Sequence, residues 1–167
     1  MQDTGRLTDR QMAAWRAFLR THAVVTRRLE ADLLAERGMP LATYDVLVQL
    51  VEAPERRLRM SELAERVLLS RSGLTRLVDR LEREALVRRE ACADDARGMF
   101  TVLTDAGVDR LRAASPTHLR GVVVHAMGRL DDDASDELVG LLARMLGEDG
   151  GAPAPVTTAS TGVTPAG

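Results

Sequence analysis

Met12, Trp15, Leu19, His22, Thr26, Leu29 and Leu33 recur in alternating steps of three and four, the spacing that brings side chains onto one face of an α-helix. Phe18 and Val25 widen the stripe, so one long helix with a broad buried face is expected from Thr8 to Arg37. Thr8 is placed to cap it, Gln11 three residues on completes a capping box, and Gly38 followed by Pro40 ends it. At 167 residues the chain is about one domain's worth, so the remaining elements must be short.

They are. A second helix, roughly Ala42 to Ala53, is expected to bury Tyr44, Leu47, Val48 and Val51 and to stop before Pro54. A short third helix starts with Ser61 as N-cap and carries Leu63, Ala64 and Val67. A fourth, capped by Ser70, runs from Arg71 to about Ala85 with Leu74, Leu77, Val78 and Leu81 as its buried stripe. Two short helices joined by a tight turn read as a helix-turn-helix. From Leu86 to Leu103 the helical period is lost, and Val87, Phe100 and Val102 flank the polar stretch 94–98. That pattern predicts two strands around a hairpin loop, which directly after a helix-turn-helix is a wing.

Thr104 caps a further helix whose apolar face is Val108, Leu111, Leu119, Val122, Val123, Ala126 and Leu130. Pro116 falls inside it and calls for a kink, or a restart with Ser115 as the new cap. The last helix, about Asp132 to Leu146, is expected to bury Leu138, Leu141, Leu142 and Met145. Residues 148–167 hold 4 Gly, 3 Pro, 4 Ala and 5 Ser or Thr, too little apolar surface to offset ordering entropy, and so read as a disordered tail.

Composition narrows the function. With 45% apolar and 29% charged residues the chain is an ordinary globular protein. No apolar run approaches the ~18 residues of a membrane span, the N-terminus carries Asp3, Arg6, Asp9 and Arg10 rather than a leader, and one cysteine makes no intramolecular disulfide. A cytoplasmic location with no membrane partner is expected. No HxxxH, CxxC, P-loop or GxSxG pattern is present, and the three His and single Cys are scattered, so neither an enzyme nor a metal or cofactor site is expected. The only aromatics are Trp15, Phe18, Tyr44 and Phe100, too few for a platform that stacks single-stranded nucleic acid.

A net charge of -2 looks unpromising for a polyanion partner until the chain is divided. Residues 1–55 hold 7 Arg against 8 acids, residues 56–97 hold 11 against 8, and residues 98–167 hold 5 against 9. A basic centre between acidic arms fits a domain with one anion-facing surface. All 23 basic residues are arginine.

The run Ser70-Arg-Ser-Gly-Leu-Thr-Arg76-Leu-Val-Asp79-Arg80-Leu-Glu82, then Leu86-Val-Arg88-Arg89, Asp95-Ala-Arg97-Gly98 and Leu103-Thr104-Asp-Ala-Gly107, resembles the MarR family of bacterial winged helix-turn-helix regulators. The likeness extends from about Tyr44 to Gly107. It implies a mainly α fold with a small β-hairpin wing, flanked by N- and C-terminal dimerisation helices that interlock in a homodimer on a pseudo-palindromic, double-stranded operator. The corresponding division is 1–37 as the N-terminal dimerisation helix, 38–104 as the DNA-binding lobe (recognition helix about 71–85, wing about 86–103), 105–147 as the C-terminal dimerisation helices, and 148–167 as the tail.

The residues themselves point the same way. Ser70 to Val78 contains Arg71 and Arg76 and no acid, whereas Asp79 to Glu84 contains three acids and two arginines, so the N-terminal half of the helix is the half free to meet phosphate. Asp79 with Arg83 and Arg80 with Glu84 stand four apart as surface pairs. Arg71 and Arg76 therefore rank above Arg80 and Arg83 as DNA contacts. Ser70, Ser72 and Thr75 offer short hydroxyls for base edges or phosphates. The resemblance places Arg97 at the wing tip, reaching into the minor groove, with Asp95 bracing it. Ala96 stands where many members have a second arginine.

The resemblance also implies a repressor released by a small aromatic or phenolic effector, for which Trp15, Arg16 and His22 are candidate contacts. The alternative for Trp15 and His22 is helix or dimer-interface core. His118 and His125 repeat at the same spacing of seven. Two further alternatives are a redox-responsive regulator acting through Cys92, near Arg88 and Arg89, and a winged helix used for protein contacts without DNA.

Overall fold

The computed structural model describes residues 6–67, 69–92 and 95–147, and the 148–167 tail lies outside that set. The described residues divide into two compact units: residues up to Leu41 with Ala113–Gly128, and Ala42–Arg112 with the chain from Arg129.

In the first unit, α1 (Asp9–Arg37) begins and ends as its sequence dictates. Thr8 Oγ1 accepts from the Gln11 N–H at 3.2 Å while Gln11 returns Oε1 to the Thr8 N–H at 2.8 Å. Gly38, at φ 57, closes the helix in the left-handed conformation that a residue without Cβ takes freely. The helix packs on the C-terminal part of α5 (Asp105–His125) through a line of small and polar residues. A Cβ on Gly121 would stand 2.8 Å from Leu29 Cδ2, so glycine is what lets the two helices close together. Around that contact, His125 Nε2 lies 2.8 Å from Asp32 Oδ2, and Thr117 Oγ1 donates to Glu36 at 3.0 Å and accepts from Arg37 Nε at 2.9 Å. Arg120 pairs with Glu36, and that guanidinium together with the Thr117 hydroxyl holds the Glu36 carboxyl below the usual carboxylate range. Burial pushes the His118 imidazole below its ordinary value.

Two expectations fail here. The α1 stripe is buried only at Leu29 and Leu33, while Trp15, Phe18 and Leu19 are 39–45% exposed because none of the described residues covers them. On α5 the buried line is Leu111, Ala114, Thr117 and Gly121, not the face through Leu119 and Val123, which are exposed. Pro116 starts no new helix at Ser115. The chain remains helical across it, although the proline supplies no N–H to the carbonyl four residues back.

The second unit is built from α2 (Leu41–Glu52, counted from Ala42), a 3₁₀ turn at Pro54–Arg56, β1 (Arg57–Arg59), α3 (Met60–Arg66), α4 (Arg71–Arg83), β2 (Val87–Cys92), β3 (Asp95–Leu103), the start of α5, and α6 (Asp132–Leu146). Leu47, Leu50, Leu63, Leu74, Val78 and Leu81 are at most 1% exposed and form its core. Truncating one such leucine to alanine costs about 2–5 kcal/mol. On α2, Tyr44 and Leu47 are buried as expected, but Val46 and Leu50 are buried in place of Val48 and Val51, so the inward face is turned slightly from the one expected.

The sheet has order β1-β3-β2, all antiparallel. β1 was not foreseen: three residues with a single apolar one, Leu58, give no period to detect. α3 begins one residue before the expected cap. Ser61 lies inside it, and Glu62 accepts the Arg59 N–H at 2.9 Å in place of a serine cap. Along β2 and β3, Ala91 faces Met99 but Cys92 faces Asp95, so β3 carries three residues, Ala96 to Gly98, with no partner opposite. Of the cluster 94–98 expected as a hairpin loop, Asp95 to Gly98 belong to β3, while Asp94 lies outside the described residues. α6 has Asp131 as N-cap and Gly147 as C-cap, yet buries none of Leu138, Leu141, Leu142 or Met145.

Candidate nucleic-acid interface

α4 presents two different faces. Leu74, Leu77, Val78 and Leu81 are buried, while Ser72, Thr75 and Arg76 on the opposite side are exposed. The helix starts at Ser70, whose Oγ accepts the Gly73 N–H at 3.1 Å and lies 3.3 Å from Ser72 Oγ. A Cβ on Gly73 would come within 3.1 Å of Ser70 Oγ, so this glycine serves the cap. No acid stands in the first turn. Among the described residues Arg76 engages no hydrogen-bond or ion-pair partner, which leaves its guanidinium to solvent. Ser70, Ser72, Thr75 and Arg76 are therefore brought together on one exposed, acid-free surface at the positive end of the helix dipole.

The C-terminal half of α4 is tied down. Arg80 Nη2 donates to Thr43 Oγ1 of α2 at 2.9 Å, with Glu84 3.9 Å from its Nε. The expected Asp79–Arg83 pair is absent: Arg83 Nε donates to the Asp79 carbonyl oxygen at 3.2 Å. The Asp79 carboxylate goes instead to Arg89 of β2 at 2.5 Å, and Glu82 pairs with the same guanidinium at 2.7 Å. Spacing within a helix revealed neither contact, because both partners of Arg89 come from another element.

The wing places Asp95 and Arg97 in β3, Arg97 among the three residues that outnumber β2, but the side chains of Arg71, Asp95 and Arg97 lie outside the described ones. Cys92 ends β2, and its side chain is likewise outside them. The two arginines proposed to act on it are engaged by carboxylates, Arg89 as above and Arg88 by Glu90. At the sheet edge, Arg57 and Arg59 lie over the Phe100 ring at 4.9 and 5.6 Å, with Arg57 also 2.5 Å from Glu55. The run Arg56-Arg57-Leu58-Arg59 was the sequence signal for this second basic cluster.

The candidate effector residues sit on α1. Trp15 stacks on Phe18 with ring centroids 5.8 Å apart, and His22 lies two turns further along, exposed. Arg16 is exposed on the adjoining face. Among the described residues there is no group of three metal-ligating side chains and no helix long and apolar enough to cross a membrane.

Residues 37–98 match the model of the MarR family. The fold superposes on Sco3205, a MarR family transcriptional regulator from Streptomyces coelicolor solved in complex with DNA, with a TM-score of 0.78 and 36% identity over 89% of this chain and 92% of that one. AbsC of the same organism, also a MarR family regulator, gives 0.77 and 37% over 86% and 97%. Among curated proteins, the HTH-type regulator YkoM of Bacillus subtilis is 30% identical over 81% of this chain and 86% of its own length. The transcriptional repressor YetL of Bacillus subtilis is 30% identical over 68% of this chain, the match spanning 65% of YetL. The arrangement of α3, α4 and the β2–β3 wing, and likeness across most of the described residues, have one conclusion: the chain belongs to the MarR family of transcriptional regulators.

Proposed function

We propose that the protein is a homodimeric, sequence-specific binder of double-stranded DNA that represses transcription and is released by a small aromatic anion. The observation that carries DNA binding is the division of α4: an exposed N-terminal half with Ser72, Thr75 and an unengaged Arg76, and a C-terminal half whose two acids are both neutralised. Arg71 opens the same half, and Arg97 and Asp95 are the wing residues assigned to the minor groove. Arg80, held by Thr43, takes at most an electrostatic part. The DNA complex of Sco3205 supports the reading, and the repressor YetL supports its sign.

Dimerisation is supported by apolar side chains that the chain leaves open: Trp15, Phe18 and Leu19 on α1, Val123 and Val124 on α5, Leu141 and Met145 on α6. A two-fold dimer would also match a palindromic site. An exposed ring pair on α1, with Arg16 on the adjoining face and His22 further along the same helix, suits a carboxylate or phenolate effector. A footprint on the DNA upstream of the protein's own gene, lost steeply as salt rises and lost on adding a small aromatic carboxylate that quenches Trp15 fluorescence, is the expected result. No footprint at low salt refutes DNA binding, and a footprint indifferent to every such acid refutes this effector class.

A further inference from the structure

α4 carries four arginines and two acids, Asp79 and Glu82, and one residue from outside the helix holds both acids. Arg89 Nη2 reaches Asp79 at 2.5 Å, Nη1 reaches Glu82 Oε2 at 2.7 Å, and the Arg89 backbone N–H donates to Glu82 Oε1 at 3.1 Å. The Arg89 side chain is only 25% exposed, whereas those of Asp79 and Glu82 are 48% and 38% exposed. The acids are thus not sequestered by packing; the guanidinium is what restrains them. Neither neighbour on the helix competes for them, because Arg83 is bonded to a carbonyl and Arg80 to Thr43. Arg89 is itself fixed, paired across the sheet with Thr101, which is fully buried.

We propose that Arg89 is a positioning residue for DNA binding: it holds Asp79 and Glu82 against β2 and cancels their charge, so that α4 meets a phosphate backbone without a free carboxylate. The inference rests on the DNA-binding reading above. A duplex presents one negative charge per ~1.7 Å of its axis, and at 0.1 M salt repulsion reaches about 10 Å. Two released carboxylates on the exposed side of α4 lie within that range of any groove the helix enters. The planar fork of arginine serves both acids at once, which a lysine ammonium does not.

The test uses the full-length protein and a labelled duplex recovered by site selection with the wild type, titrated from low to high salt. Arg89→Met should weaken binding by roughly tenfold at low salt, with the deficit shrinking as salt screens the repulsion. Asp79→Asn with Glu82→Gln and Arg89→Met combined should return close to wild-type affinity. Asp79→Asn with Glu82→Gln alone should bind at least as tightly as the wild type, and this variant carries the test if Arg89→Met does not fold. A deficit that is independent of salt and not rescued, or weaker binding by the acid-neutralised variant, overturns the proposal, because both are what a purely structural clamp predicts. Failure of the wild type to select any sequence would sink the DNA-binding reading, and this inference with it.

Discussion

A Cβ on Gly107 would stand 2.2 Å from the carbonyl oxygen of Leu86, well inside contact distance, so the first turn of α5 lies directly against the entry to β2. Thr104 fastens the same corner: its Oγ1 accepts the Gly107 N–H at 3.0 Å and lies 2.7 and 3.0 Å from the carbonyl oxygens of Ala85 and Leu86, toward which it donates. Gly107→Ala must push backbone against backbone, and a loss of about 3 kcal/mol is expected from denaturant unfolding. A loss below about 1 kcal/mol would mean that the corner gives way more easily than its geometry implies.

Ala85, just before that corner, has φ 57, a conformation that costs an L-residue with a Cβ about 1–2 kcal/mol. Ala85→Gly should therefore stabilise the protein, by about 0.5–1 kcal/mol once the greater freedom of unfolded glycine is set against it. Urea midpoints of the two proteins measure this directly.

Stability should fall with acid. Burial lowers the folded-state pKa of His118 beneath its ordinary 6.5, so the unfolded chain binds the proton more readily. This contribution is complete above pH 6.5 and is lost progressively below it. Glu36, whose carboxyl is held low by Arg120 and Thr117, adds a loss that begins lower, beneath its ordinary 4.5. His118→Gln should flatten the higher-pH limb of the melting temperature against pH and leave the lower limb in place.

Much of this fold is legible from sequence wherever a local rule decides. Thr8 with Gln11, Ser70, Thr104 and Gly38 set helix ends by hydrogen bonds over three or four residues, and each stands where its type and spacing indicate. The stripe of α4 is legible because the lobe covers it entirely. The stripes of α1 and α6 are equally periodic, but periodicity records that a face is apolar and not what covers it, so Trp15 and Leu141 are exposed in the single chain. β1 depends on partners more than forty residues away, and the Arg89 clamp, though its acids stand only seven and ten residues back, joins a strand to a helix, so the period of neither element reveals it.

The exposed stripes yield a prediction of their own. Leu19→Asp, or Leu141→Asp on α6, should convert a wild-type dimer to monomer in sedimentation at micromolar concentration, with the helical signal largely retained. A wild type that sediments as a monomer contradicts the dimer.

Whether α4 reads duplex DNA is decided by selecting binding sites from a random duplex pool. An inverted repeat whose half-sites lie about one helical turn apart is the expected product. Arg76→Ala should bind that repeat roughly tenfold more weakly, with the salt slope reduced by about one. Recovery of no sequence above the starting pool, or an unchanged affinity in Arg76→Ala, would show that α4 is not the reading helix.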